Sequence, residues 1–218
     1  MSEPASASTN TQICNLALAR LGQPAITTIE GDDLAWVEEL MALHYPQTRR
    51  RLLRGGTWNF AKERAAVTAA SGVTPAFGFG NAFALPVDYL RFLTLGNIDE
   101  DNPLLPTLYD IRGRYIYTDE TDDSDTIYLS YIKDETNVAV WDALFQNLAR
   151  LELASDVCYR FTLKPSQLTA LADELKDVRL EAKAVAGQET PPKRVTRSKW
   201  AMARRLGGSS RDTTRYSI

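Results

Sequence analysis

The sequence predicts an α+β protein: a helical bundle built from N- and C-terminal helices, an inserted small antiparallel β domain, and an extended C-terminal tail. Three observations lead there. Apolar residues recur at helical spacing near both ends of the chain, while short runs of alternating character fill the middle. After Pro191-Pro192 the periodicity stops and a basic segment follows. The divisions are then 1–57 for the first helices of the bundle, 58–136 for the β domain, 137–187 for the returning helices and 188–218 for the tail.

The first helix is expected from Asn10 to Leu21. Ile13, Leu16, Ala17 and Leu21 share a face, Thr9 or Asn10 can cap it, and Gly22 followed by Pro24 ends it. A second helix is expected after Gly31, capped by Asp32 or Asp33, with Leu34, Val37, Met41, Tyr45 and Leu52 on its apolar face. Pro46 lies inside that face and predicts a kink or break. Arg49, Arg50, Arg51 and Arg54 put cations at the C-terminal end, and Gly55-Gly56 stops the helix.

Candidate strands are Trp58–Thr68, Tyr89–Leu95, Leu108–Ile111, Arg114–Thr118 and Thr126–Ile132. In the last, Ile127, Leu129 and Tyr131 fall on one face. Gly113 predicts a tight hairpin, and Val73 to Ala84 reads as a long loop or ragged edge. Helix returns after Asn137, with Val140, Leu144, Leu148, Leu151, Cys158 and Phe161 along one face to about Thr162. Pro165 opens a last helix. In that helix Leu168, Leu171, Leu175, Val178, Ala182 and Val185 form a heptad-like seam. The seam is too short for a free coiled coil, so it is expected to pack on the preceding helix as a hairpin.

Composition narrows the function classes. The chain of 218 residues is 44% hydrophobic and 24% charged, which is ordinary for a globular protein with a sizeable core. No apolar run approaches the ~20 residues of a membrane span, and Met1 to Asn10 lacks the basic and apolar regions of a signal peptide. Cys14 and Cys158 both lie in apolar-periodic stretches, as two buried thiols made in a reducing cytosol would.

Chemistry leaves little trace. His44 is the only histidine and the cysteines are far apart in sequence, so no zinc set is expected. Counting from Asp119, the acid-rich stretch has Ser124 where an EF-hand needs glycine and Ser130 where it needs glutamate. It reads as a solvated hairpin loop. There is no nucleophile elbow and no phosphate-binding loop, and Gly78-Phe79-Gly80 lacks the rest of a dinucleotide fingerprint. No residue is expected to be catalytic, and no cofactor or metal is expected. A glycosidase remains an alternative, because its two carboxylates carry no motif.

Charge is unevenly distributed. Residues 191–218 carry eight basic side chains against the single Asp212, a surplus of seven; the total of −3 then leaves ten net negative charges on residues 1–190. Such a tail could neutralise nucleic-acid phosphates with strong salt dependence, order on an acidic partner surface, or stay solvated. Trp200, Met202 and Leu206 favour partner docking, since phosphate contacts need no apolar anchors. The residues expected to reach a partner are Arg194, Arg197, Lys199, Trp200, Arg204 and Arg205.

Three stretches together resemble the tail tubular protein A and tail accessory factor family, the head-to-tail adaptors of short-tailed phages. Ile13-Cys14-Asn15-Leu16-Ala17-Leu18-Ala19-Arg20-Leu21-Gly22, with Ala25-Ile26-Thr27-Thr28-Ile29 after it, is similar to the family's opening helix and turn. Tyr45-Pro46-Gln47-Thr48-Arg49-Arg50-Arg51-Leu52-Leu53, followed by Trp58-Asn59-Phe60-Ala61, resembles its most recognisable signature. Ala84-Leu85-Pro86-Val87-Asp88-Tyr89-Leu90 matches a step into a strand. The likeness spans roughly residues 10–165 and reaches the tail least.

The resemblance implies a non-enzymatic virion subunit, made in the host cytoplasm and assembled as a twelve-fold ring in the neck. Its partners would be the portal protein, the tail nozzle, further copies of itself and the double-stranded DNA passing through the lumen, with no membrane. A closed ring needs different faces of each subunit to meet, and an acidic body would let DNA slide through the lumen. The alternatives are a DNA-binding helical protein with a basic arm, and a virion-associated peptidoglycan glycosidase.

Overall fold

The computed structural model describes residues 9–73, 75, 77–95, 109–119, 125–161 and 165–189. Helices from both ends of this span flank an antiparallel β region, the α+β arrangement expected from the sequence.

Helix α1, Asn10–Arg20, starts in a capping box: Thr9 Oγ1 accepts from the Gln12 N–H, and Gln12 Oε1 accepts from the Thr9 N–H. It ends where Gly22 takes a φ of +68°, which turns the Gly22 and Gln23 N–H groups back onto the Ala19 and Leu18 carbonyls. Asn15 then fixes the following turn, exchanging two hydrogen bonds with the backbone of Ile26.

Helix α2, Trp36–Gly55, begins later than the aspartates suggested. Glu38 takes the place of an aspartate cap: its carboxylate accepts from the Ala35 N–H and from the N–H and hydroxyl of Thr27. One acid thus holds both the helix start and the loop before it, leaving Asp32 and Asp33 outside in solvent. Pro46 does not break the helix. Met41 and Tyr45 before it, and Leu52 and Leu53 after it, are all buried in the bundle core, which outweighs one lost helical hydrogen bond.

Helix α3, Ala143–Phe161, also starts later than expected. Val140 belongs to a separate 3₁₀ turn, Val138–Val140, and is 47% exposed instead of facing the core. Nor does α3 bury a single stripe. Phe145, Ala149, Leu153, Ala154 and Val157 are buried along with the expected Leu148, Leu151 and Cys158, because α1, α2 and helix α4, Pro165–Gln188, all pack on it. Most of the α4 seam faces this hairpin partner: Leu171 and Ala182 are buried and Leu175 and Val178 partly so, whereas Leu168, expected on the same seam, is 40% exposed. Arg20 of α1 pairs with Glu174 of α4 across the same side. No helix among the described residues is long and apolar enough to cross a membrane.

The β region divides into two three-stranded antiparallel sheets. One has the order β1–β6–β3, from Lys62–Thr68, Thr126–Lys133 and Tyr89–Leu95; the other has β2–β5–β4, from Asn81–Ala84, Tyr115–Thr118 and Tyr109–Arg112. Strand β2 was missed, since its four residues lie at the end of the stretch read as loop. The first candidate strand is also shorter than expected, because Asn59–Ala61 is a 3₁₀ turn. Gly113, at φ +60°, makes the two-residue hairpin between β4 and β5. The acid-rich stretch does not close a hairpin: Thr118 and Thr126 belong to different sheets, so it crosses between them. Its residues 120–124 lie outside the described residues.

Two register irregularities shape β3. They fall between Tyr89 and Arg91 and between Phe92 and Thr94, and they break the two-residue alternation of side chains. Tyr89, Phe92 and Leu95 consequently pack into the β core with Phe83, Ile116 and Leu129, while Leu90 and Leu93 pack against the bundle core. Strand β6 is similarly divided. Ile127, Leu129 and Tyr131 fill the β core as expected, and Ile132 enters the bundle core. The two cores meet along these two strands.

Candidate functional site

The strongest concentration of polar interactions lies where the C-terminal half of α2 crosses the ends of β3 and β6. Three successive arginines of α2 serve two sets of acids. Arg49, 7% exposed, forms a two-pronged pair with Asp134 just after β6, at 2.8 and 2.9 Å. Arg50 reaches the same carboxylate from solvent at 2.8 Å. Arg51 turns to α3, pairing with Asp156 at 2.6 Å and Glu152 at 3.2 Å. Thr48 also donates to Asp156, at 2.6 Å, and Arg179 of α4 takes the other oxygen of Glu152 at 2.6 Å. These arginines do more than neutralise a helix terminus, as the sequence reading had them: they tie α2 to the end of β6 and to α3, whose Glu152 also holds Arg179 of α4.

An aromatic cluster completes the joint. Trp58 is 3% exposed and meets Phe145 edge-on at 4.9 Å; Phe60 and Trp141 do the same from either side, each at 4.9 Å. The Trp58 indole N–H donates to the Leu52 carbonyl at 3.0 Å, satisfying one of the free acceptors at the end of α2. Its ring lies so close to Gly56 that a Cβ there would stand 2.5 Å from it. Gly56→Ala should therefore push the indole out and lower stability by about 1–3 kcal/mol, measured by urea unfolding. On the other side, the step into β3 is held by Asp88, which accepts from the Tyr131 hydroxyl at 3.0 Å and, through its carbonyl, from the Asp134 N–H at 2.8 Å. Arg54 donates to the Leu90 carbonyl at 2.6 Å.

Beside this joint two adjoining depressions, of about 280 and 250 Å³, share Gly55, Trp58 and Lys183. Arg51, Arg91, Arg179 and Lys183 contribute cations to their walls, against the single carboxylate of Glu152. Arg91 donates to the Gly56 carbonyl at 2.5 Å, and its Nε is buried without a hydrogen-bond partner. Lys183 meets no carboxylate among the described residues. Sequence reasoning missed this groove, because its cations come from α2, β3 and α4 and no local spacing links them.

The other candidates separate clearly. Arg194, Arg197, Lys199, Trp200, Arg204 and Arg205 lie outside the described residues. The chain leading to them passes Glu189, whose carboxylate accepts from Asn59 beside Trp58, so the tail is rooted next to the groove. His44 is half-buried on α2. Cys14 and Cys158 are both buried free thiols, and burial pushes the Cys14 thiol up to about 12. Glu38, Glu63 and Asp134, the described carboxyl groups with a distinct shift, all move downward, opposite to a glycosidase acid.

No protein-family model matches the chain, and no curated protein matches it in sequence.

Proposed function

We propose that the protein is a structural subunit of a phage neck, one copy of a ring that joins the portal to the tail nozzle, completes the DNA channel and retains the packaged genome. The observation that carries this reading is the convergence of the residues behind the adaptor resemblance. Thr48, Arg49 and Arg51 of one stretch, Trp58 and Phe60 of its continuation, and Asp88 and Leu90 of another meet at one joint between bundle and β region. Residues so far apart in sequence have a common purpose there: they set the angle between two bodies. A connector needs that angle held, since each subunit must present one face to its neighbour and other faces to portal and nozzle.

Unpartnered apolar side chains on both bodies fit such contacts. Leu43, Tyr159 and Leu180 are exposed on the helices, and Phe77 and Val87 on the β side. A net charge of −10 on residues 1–190 would line at least part of a ring with phosphate-repelling acids, and the basic tail would dock on the portal.

Mass photometry of the purified chain, alone and mixed with its portal ring, tests the proposal. The portal complex should grow by a whole ring of subunits. Absence of association, together with salt-sensitive binding of a DNA duplex by the chain alone, would replace the adaptor reading with a DNA-binding one. Deleting residues 191–218 should abolish portal docking while leaving the circular dichroism and unfolding midpoint of the body unchanged; normal docking would remove the tail from the interface.

A further inference from the structure

We propose that the basic groove at the end of α2 receives the acidic segment 119–125 of a neighbouring copy of the chain. This rests on the self-assembly part of the function proposed above and names the contact that would build the ring. The groove carries more positive charge than its own subunit neutralises. Asp156 and Glu152 answer Arg51 and Arg179, which leaves the cations of Arg91 and Lys183. Arg91 donates to the backbone carbonyl of Gly56, and neither it nor Lys183 has a carboxylate partner among the described residues. The Nε of the same Arg91 is buried without a hydrogen-bond partner.

The complementary charge is in the same sequence. Asp119, Glu120, Asp122, Asp123 and Asp125 supply five carboxylates in seven residues, with no cation among them. One chain cannot bring the two together. The segment is anchored at Thr118 and Thr126, whereas Arg91 pairs with Ile132 near the other end of β6. Six strand residues at about 3.3 Å each put roughly 20 Å between Thr126 and the Arg91–Ile132 pair. Charges rooted at opposite ends of β6 meet between copies. The contact is then head-to-tail, the kind that closes a ring when the rotation between copies permits.

Carbodiimide coupling reads this directly, since it joins a lysine amine to a carboxylate only where the two touch. The full-length chain, as an equal mixture of isotope-labelled and unlabelled protein, is coupled at low salt both alone and bound to portal. Peptides joining Lys183 of one chain to segment 119–125 of the other are expected. Lys183→Arg should lose that link and keep the oligomers, because charge remains and the amine is gone. Lys183→Glu should lose the oligomers, and adding Asp122→Lys to it should restore them. Oligomers or rings whose linked peptides avoid Lys183 and the segment would overturn the inference and leave ring assembly standing. Monomers in every condition, with no ring gained by portal, would overturn both. Protection of Lys183 by a DNA duplex in place of the link would make the groove a phosphate site and equally overturn it.

Discussion

Asp134→Ala is expected to destabilise the protein by about 3–5 kcal/mol, the usual cost of removing one partner from a buried ion pair. Most of the loss comes from what remains. Arg49 is held almost entirely out of solvent by α2 and the end of β6, and without Asp134 its charge has no counter-ion there. Arg50 contributes little, because it is 59% exposed and can return to water. Urea unfolding of the single variant, of Arg49→Met, and of Arg49→Met with Asp134→Leu separates these effects. The double variant should recover most of the loss, since two apolar side chains of similar volume leave no buried charge. Equal losses in all three would mean that packing, not charge, governs the joint.

The same pair sets a pH dependence. Burial alone would raise the Asp134 carboxyl, but the hydrogen bonds and charges of Arg49 and Arg50 outweigh it and hold the group below its ordinary value. A carboxyl depressed in the folded state adds stability above its unfolded value, about 3.9, and that contribution is lost as pH falls through the lower folded value. Acid should therefore weaken the wild type below about pH 4, and the double variant should show a shallower decline there.

Trp58→Ala should cost about 3–5 kcal/mol, as large aromatic truncations in a core do. The indole is the hinge pin of the aromatic cluster: it touches Phe145, backs onto Gly56 and supplies the donor for the Leu52 carbonyl. Trp58→Phe should cost less, about 1–3 kcal/mol, by keeping a ring against Phe145 while leaving that buried carbonyl unpaired. Unfolding followed by circular dichroism gives both values; a Phe variant as unstable as the Ala variant would show that a phenyl ring against Phe145 recovers nothing, so that the features lost in both variants, the indole N–H and its full ring system, carry the effect.

Much of this architecture is legible in the sequence, for a physical reason. Helix periods, Thr9, Gly22, Gly113 and the alternation of Ile127, Leu129 and Tyr131 are local signals, and each describes the element it sits in. What was misread depended on distant partners. The apolar face on both sides of Pro46 was visible, but not that the packing of that face would keep the helix unbroken through the proline. Nothing near Glu38 says that Thr27 will lie beside it, which moved the start of α2. The register irregularities of β3 arise because one strand must serve two cores, a demand that alternation in a single strand cannot express. At the joint, the run of arginines was visible as charge at a helix end, while Asp134, Glu152 and Asp156, which give each arginine its role, lie roughly a hundred residues away.

The two cores differ in when they can close during synthesis. The buried residues of the β core all fall between Phe83 and Tyr131, so that unit is complete in sequence once β6 has left the ribosome. The bundle core instead joins Ile13 to Ala182, and α1 and α2 face α3, which is made after the whole β region. The first two helices must therefore wait, with the faces that α3 covers still open, until the chain beyond β6 emerges. The early helices are the segment a chaperone would shield, and loss of α3 would leave a nascent chain with a finished β region and an orphaned, aggregation-prone N-terminus.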